Sequence, residues 1–333
     1  MNENLEQAES LLIKLSSIAS RLRLRLREQF WQRVSPGKTV RRLLWGYYPD
    51  RSSKKLCLFS SYDPDGRVDP YVKAYLAAIR ACDFDIAFVA TSPDLHSDDV
   101  ADILPFCRVV LLRKNIGIDF GSWKAATQVL PDWEDYDRLL LANDSVYGPF
   151  SDLAVVFEAM EAAKESMLGL TDNFEKAWHL QSYFLYFKRP LLGSPEFKDF
   201  WSSIRLYLDK YDIIERFEVG MSRHFLKYGH KLKACFPYAD VKDFTLGLGS
   251  EFKFRDKLCS EPLNQTLYMW EQLLSQFKFP FLKTEILKIN RFGFSQVAQW
   301  REKIPSGSPD WRVLIEGHLK RVCPSAAGLN NDH

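Results

Sequence analysis

The chain has 333 residues, with 45 Lys+Arg against 43 Asp+Glu, 46% hydrophobic and 26% charged residues, and 16 each of Gly and Pro. That composition excludes a disordered, collagen-like or low-complexity protein, and a net charge of +2 by itself selects no partner. The length admits two domains, or one large α/β domain with appendages. No stretch approaches the roughly 18 uninterrupted apolar residues of a membrane span, and the N-terminus lacks a signal-peptide layout.

The first fifty residues stand apart. Leu5–Ile18 reads as a helix with apolar positions at Leu11, Leu12, Leu15 and Ile18. Arg21, Arg23, Arg25 and Arg27 then alternate with leucines, followed by Phe30, Trp31 and Arg33. Between Arg21 and Arg42 there are eight Lys/Arg and one acid, Glu28, a local charge of +7. Arginine, leucine and tryptophan on one segment suit an interfacial helix on anionic lipid. A solvated charged helix or a docking arm for a partner accounts for it equally.

From Lys54 onward, short apolar runs alternate with amphipathic helices. Leu56–Ser60 is a strand closed by the turn-rich SYDPDG. Asp69-Pro70 supplies an N-cap and a first-turn proline to a helix carrying Val72, Tyr75, Leu76 and Ile79. Phe84–Thr91 and Arg108–Leu112 are strands on either side of a short helix, Ser97–Leu104. After RKNIGIDFG a helix runs through Trp123 to Leu130, and YDRLLLA is a strand ending at Ala142. NDSVYGPF leads into a helix over Leu153–Ala163. Beyond it, MLGLTDN is a strand, His179–Arg189 a long strand, and Lys231–Phe236 another. Phe197–Leu208 and Ile213–Tyr228 read as helices, and Gly247–Ser260 as a boundary loop. The remainder, including Leu263–Phe277 and Trp311–Arg321, reads as mostly helical. Such repeats predict a largely parallel sheet covered by helices.

In an open parallel sheet, ligands bind outside the carboxyl ends of the strands. Three polar clusters follow apolar strands: Ser60–Gly66, Arg113–Gly121 and Asn143–Ser145. On one sheet they would line one crevice. In RKNIGIDFGSW, Gly117 and Gly121 permit positive φ or close backbone approach. Asp119 can cap the next helix, whose free N–H groups suit an anion, with Arg113 and Lys114 alongside. A plain N-capped helix explains the same residues. Asp144, at a strand end, can hold a hard divalent cation, or simply cap a turn. Glu218 borders the apolar stripe of Ile214, Phe217, Met221, Phe225 and Tyr228. It is either a carboxylate base at a cleft edge or a partner of Arg223 or a lysine. His179, His224 and His230 show no metal-binding spacing, and no G-x-S-x-G elbow is present. The six cysteines lack C-x-x-C spacing and read as free thiols of a reducing cytosol.

RKNIGIDFGSWKAA, YDRLLLANDSVYGPF, LTDNFEKAWHLQSYFLYFKR and FEVGMSRHFLKYG, in that order, resemble the rhamnan synthesis protein F family, and NQTLYMWEQLLSQFKFPFLKTEIL is similar to that family's closing segment. The resemblance implies an α/β, GT-A-like nucleotide-binding sandwich with a mostly parallel central sheet. Residues 1–50 would form a basic N-terminal helical arm, 51–250 the core and 251–333 a helical C-terminal extension. It implies an inverting glycosyltransferase that moves a sugar, rhamnose or another deoxyhexose, from a nucleoside-diphosphate donor. The product would be a bacterial surface polysaccharide such as O-antigen of lipopolysaccharide, capsule or wall glycan. On this reading Ser61, Asp63, Arg113, Asn115, Gly117, Asp119, Gly121 and Asn143 bind the donor. Asp144 holds Mg²⁺ or Mn²⁺, as the single acid of an Asp-x-Asp equivalent flanked by Asn143 and Ser145. Glu218 is the base, and His179, Gln181 and His224 lie on the acceptor side. The partners implied are a nucleotide-sugar donor, a lipid-linked glycan acceptor and an anionic membrane surface, with no nucleic acid. The implied location is cytoplasmic, peripheral at the inner face of the cytoplasmic membrane. A non-catalytic, degenerate transferase domain that binds glycan or a partner is the alternative, and an unrelated nucleotide-dependent enzyme a further one.

Overall fold

Apolar runs buried on both faces form the centre of the molecule, as expected of strands covered by helices on each side. The computed structural model describes residues 23–323, the side chain of Gln296 excepted. Its main strands are β1 (Val40–Trp45), β2 (Lys55–Ser61), β3 (Phe84–Ala90), β4 (Val109–Arg113) and β5 (Arg138–Asn143). They continue with β6 (Val146–Tyr147), β7 (Met167–Asn173), β8 (His179–Leu180), β9 (Phe184–Lys188), β10 (Leu232–Phe236) and β11 (Leu282–Lys283). The central sheet runs β1-β4-β3-β2-β5-β9-β7-β10, with β8 attached to β7. β2, β3, β4 and β5 pair in parallel, as do β7 and β10. The two exceptions on the main path are β1, antiparallel to β4, and β9, antiparallel to both β5 and β7. The sheet is therefore mixed and mostly parallel.

Alternate residues of one strand feed two cores. Cys57 and Phe59 of β2 pack on one face with α2 (Pro70–Ala81), α3 (Ser97–Ile103) and α5 (Leu153–Ala162), after helix α1 over 23–33. Leu56 and Leu58 pack on the other, with α4 (Ile118–Val129), α6 (Pro195–Ser203) and α7 (Gly220–Lys227). Strand order explains the change of face. The chain steps outward from β2 to β3 to β4, then reverses to reach β5, and a right-handed crossover then carries α4 to the opposite side. That reversal makes the gap between the ends of β2 and β5 the topological switch point.

Several elements differ from the sequence reading. The helix expected over Leu5–Ile18 lies outside the described residues. Val40–Trp45, read as part of the arm, is an edge strand whose exposed Arg41 and Arg42 discourage further pairing. The single strand expected over His179–Arg189 is two strands, because Gln181–Tyr183 turns between them to meet Thr171 and Glu218. The helix expected over Phe197–Leu208 stops at Ser203, where the chain becomes extended at Ile204. The expected boundary loop contains a short helix, Arg255–Ser260. Phe281, Trp300, Trp311 and Ile315 share one core cluster with Phe59 and Tyr75, so the C-terminal region is built into the main domain. Within it β11 pairs with β6, setting Lys283 opposite Val146 just past the end of β5.

Candidate active site

The switch point is floored by Asp144. Its backbone N–H donates to the Ser60 carbonyl (3.2 Å), and its carboxylate Oδ2 accepts from Ser61 Oγ (2.7 Å) and the Tyr62 N–H (2.9 Å). Tyr71 of α2 donates its hydroxyl to the Asp144 carbonyl at 3.0 Å. Burial pushes the Asp144 carboxyl up to about 7 against the pull of those two donors, and the charge of Asp119 adds to the rise. Asn143 beside it is fixed at both ends of its amide. Nδ2 donates to Asp119 Oδ2 (2.9 Å), while Oδ1 accepts from Ser145 Oγ (2.6 Å) and the Ser145 N–H (3.2 Å). Burial also raises Asp119, against hydrogen bonds from Ser60 and Asn143.

The loop before α4 is shaped from behind. Arg113 is fully buried and donates to Thr39 Oγ1 (2.9 Å), Ser122 Oγ (3.1 Å) and the carbonyls of Ile116 and Ile118. It organises the loop and lines neither cavity described below. Gly117 has φ +79°, and a Cβ there would stand 2.8 Å from Leu206 Cδ2. Gly121 would meet the Ile116 carbonyl at 2.7 Å. These two glycines admit close packing of protein on protein. Ile118 is β-branched yet has φ +44°, a strained conformation on the loop that faces the cavities. Asp119 does not cap α4: Gly117 holds the N-cap position, and the Asp119 carboxylate turns to Asn143.

Glu218 lies on a π-helical segment, Ile214–Val219, that leads into α7. Such bulges recur at functional sites. The Glu218 carboxylate accepts from Ser182 Oγ (2.9 Å) and the Ser182 N–H (3.4 Å), with His179 Nε2 at 3.6 Å. Burial works to raise its pKa, but His179, Ser182 and Lys283 outweigh it, so the carboxyl sits below its ordinary value. Burial works to lower His179, but Glu218 and the Ala177 carbonyl hold the imidazole above its ordinary value. Arg223, a sequence candidate for pairing with Glu218, instead approaches Glu215 at 3.7 Å.

Two cavities meet here. The larger, of ≈ 660 Å³, includes Ser61, Asp63, Asn115, Asp119, Asn143 and Asp144 in its lining. The smaller, of ≈ 310 Å³, is lined among others by Asp119, Asn143, Gln181, Ser182, Glu218 and Lys283. Asp119, Asn143 and Ser145 belong to both walls. Of the remaining sequence candidates, His179 backs Glu218 from outside the lining, and its Nδ1 stands 2.8 Å from the Ala177 carbonyl. His224 lies elsewhere, with Nε2 2.9 Å from the Glu196 carbonyl and its ring against Phe200 and Tyr228. It is a packing residue.

A divalent cation held by protein alone needs several free oxygen ligands. Asp144 Oδ2 already accepts two protons, Asn143 Oδ1 is taken by Ser145, and Asp119 Oδ2 by Asn143. Among the described residues, no group of three or more His, Cys, Asp or Glu side chains could hold a metal ion. The residues therefore supply no all-protein cage for Mg²⁺ or Mn²⁺; a cation on Asp144 would draw the rest of its shell from diphosphate oxygens and water.

A family model described as rhamnan synthesis protein F matches residues 86–262, more than half of the chain. The chain belongs to the rhamnan synthesis protein F family. Virulence protein VirA of Vibrio anguillarum is 27% identical over 287 residues, covering 80% of this chain and 91% of that protein. Among solved structures, the glycosyltransferase GlyE of Streptococcus pneumoniae gives a TM-score of 0.37 at 15% identity, over 81% of this chain and 64% of that one. A cytidylyltransferase of Leptospira borgpetersenii gives 0.31 at 11% identity, over 84% and 99%. Likenesses this distant say nothing of chemistry.

The rhamnan synthesis protein F match contains Asn143, Asp144 and Glu218, but not everything that completes the site. Ser61 and Asp63 precede it, and Lys283, Lys288, His318 and Arg321 follow it. Arg321 of α8 (Trp311–Val322) is hydrogen-bonded to Asp63, Asp65 and Asp69, tying the far end of the chain to the β2–α2 loop. His318 Nδ1 stands 2.7 Å from the Tyr147 hydroxyl, and burial pushes its pKa down to about 4. Sequence reasoning passed over Lys283, Lys288, His318 and Arg321 because none carries a spacing signal. The segment FLKTEIL, the end of the stretch similar to the family's closing segment, names no site residue by itself, and its placement depends on β11 pairing with β6.

Proposed function

We propose that this protein is a glycosyltransferase of bacterial surface-polysaccharide assembly, acting on a nucleoside-diphosphate sugar of the rhamnose or deoxyhexose class. The carrying observation is the pair of adjoining cavities that share Asp119, Asn143 and Ser145, with a held carboxylate, Glu218, in the smaller. That layout suits a donor in the larger cavity and an acceptor sugar in the smaller, meeting at the shared wall. Membership of a rhamnan synthesis family supports the substrate class.

In this reading the acceptor hydroxyl gives its proton to Glu218 and attacks the anomeric carbon. The bond from that carbon to the diphosphate oxygen breaks, and the electron pair leaves with the nucleoside diphosphate. The result is one displacement with inversion. His179 and Ser182 position the Glu218 carboxylate. Base catalysis of this kind contributes about 10²–10⁴-fold. A panel of nucleotide sugars with a lipid-linked or oligosaccharide acceptor tests the reading: transfer by the full chain that Glu218→Gln abolishes supports it, and undiminished transfer by that variant removes Glu218 as the base.

The acceptor's lipid anchor is supported by the position of α1. Glu28 accepts from the Leu208 N–H at 3.1 Å, and Trp31 lies under Lys114 Nζ at 5.5 Å, beside Asn115 of the larger cavity. Leu24, Leu26 and Phe30 of α1 are exposed there among Arg23, Arg25 and Arg27. This suits an anionic membrane surface at the inner leaflet. No helix among the described residues is long and apolar enough to cross a membrane.

One observation favours a second reading, a binding domain without turnover. Both Glu218 oxygens are engaged and its pKa is depressed, which weakens it as a base. Nucleotide-sugar binding with no product from any acceptor would favour that reading.

A further inference from the structure

The charges around the two cavities fall into two groups. Most cations here meet carboxylates: Arg67, itself on the wall of the larger cavity, and Lys73 at Asp99, Arg138 at Glu161, and Arg321 at the three acids of the β2–α2 loop. Lys210, Lys283 and Lys288 line the cavities, and among the described residues no carboxylate oxygen stands within 4.0 Å of any of their ammonium groups. Lys283 is the most enclosed of the three. Its Nζ is 3.1 Å from Ser145 Oγ and 3.9 Å from the centroid of the Tyr183 ring. Neither a hydroxyl nor a ring face replaces the hydration that a part-buried ammonium loses, and the charges of Glu218, Asp119 and Glu285 act on it from beyond ion-pair distance. The exit of β5 has no free multi-carboxylate cation site, yet a cation of the protein's own stands against it.

We propose that Lys283, together with Lys288, binds the diphosphate of the donor as its counter-ion. The assignment rests on the glycosyltransferase reading for its chemistry. Lys283 lines the smaller cavity and reaches Ser145 of the wall shared by both, where the bond to the leaving oxygen would break. Lys288 lines the larger cavity, in which the rest of the nucleoside diphosphate would lie. As the sugar–oxygen bond breaks, the electron pair moves to a phosphate oxygen, and the Lys283 ammonium stabilises the added charge without giving up a proton. Ser145 is held by Asn143 and donated to by Lys283, so it positions the lysine. The Tyr183 face restrains the ammonium from the other side.

Calorimetric titration of the full chain with inorganic pyrophosphate tests the assignment, first in excess EDTA and then in Mg²⁺. The expected result is saturable binding in EDTA. Lys283→Met is expected to weaken it about tenfold or more, the worth of a charge-assisted contact. Lys283→Arg is expected to restore most of it, and Lys288→Met to weaken it by a smaller factor. Binding that appears only on adding Mg²⁺, or that is equal in wild type and Lys283→Met, overturns the assignment. Thermal unfolding checks that each variant folds; if Lys283→Met does not, Lys288→Met and Lys283→Gln decide. Sugar-transfer assays separate this idea from the function it rests on. Metal-dependent transfer that survives Lys283→Met leaves the transferase and removes the lysine. Pyrophosphate binding that follows the lysines, with no transfer from any nucleotide sugar, does the reverse.

Discussion

The two cavities hold carboxyl groups under opposite conditions. In the larger, Asp144 has hydroxyl and amide donors but, among the described residues, no ion-pairing cation, and burial pushes it up to about 7. In the smaller, Glu218 has His179, Ser182 and the field of Lys283, which carry it below its ordinary value despite burial. Asp144 therefore gives up its proton at a higher pH than Glu218 does. Pairs of titratable groups driven apart in this way are how enzymes divide acid from base work. The contrast leaves the acceptor side with an ionised carboxylate, the form that accepts a proton, and the other side with a carboxyl that adds less negative charge near a diphosphate.

Glu218→Gln tests the acceptor side and carries the largest expected effect. Transfer is expected to fall by about 10²–10⁴-fold in kcat, while circular dichroism stays that of the wild type. Because Glu218 holds the His179 imidazole up, the NMR titration of His179 is expected to move to lower pH in the same variant. An unmoved His179 would show the two groups to be uncoupled.

Arg321→Ala sharpens the comparison from the other cavity. It leaves Asp63, Asp65 and Asp69 facing one another without their shared cation. Denaturant unfolding is expected to show a loss of about 2–4 kcal/mol. Nucleotide binding is expected to suffer more than Glu218-dependent proton transfer. An unchanged midpoint would mean that the staple is dispensable.

Asp144→Asn is expected to act with the opposite sign on stability. A carboxyl raised to about 7 holds in the folded state a proton that the unfolded chain releases near 3.8, so stability falls as pH climbs between those values. The amide keeps the acceptor for Ser61 and Tyr62 but removes the titration. Thermal unfolding at pH values above that window is expected to show a gain of about 1–3 kcal/mol, absent below it. A loss at both ends would show that the ionised group stabilises the fold.

The smallest effect belongs to the mouth of the site. Replacing Arg23, Arg25 and Arg27 by Glu is expected to reduce flotation with anionic vesicles, each charge being worth about 1 kcal/mol near the surface, and to leave neutral vesicles unaffected. Equal flotation with both kinds of vesicle, or with neither, would retire the lipid surface.

Much of this molecule was legible before any coordinates. The runs LCLF, DIAFVA and RLLLA can be buried on both faces only as central strands, and polar residues crowd their carboxyl ends. The strand reading failed at Gln181–Tyr183 because hydrophobic alternation continues through a turn set by Glu218, 36 positions away from Ser182. Arg113 read as ligand-facing because a basic residue beside a glycine loop suits an anion. Its guanidinium is instead spent on four groups of the protein, a fate decided by the distant Thr39 and by Ser122.

Local periodicity and strand-end polarity thus determined the class of fold, the polar clusters after the strands, and the candidacy of Asp119, Asp144 and Glu218, because these depend on neighbours a few residues apart. Tertiary structure alone decided which charges stay unpaired. Lys283 reaches Ser145 across 138 positions of sequence, and Arg321 reaches Asp63 across 258. Whether a cation is neutralised depends on distances in space that no spacing along the chain encodes.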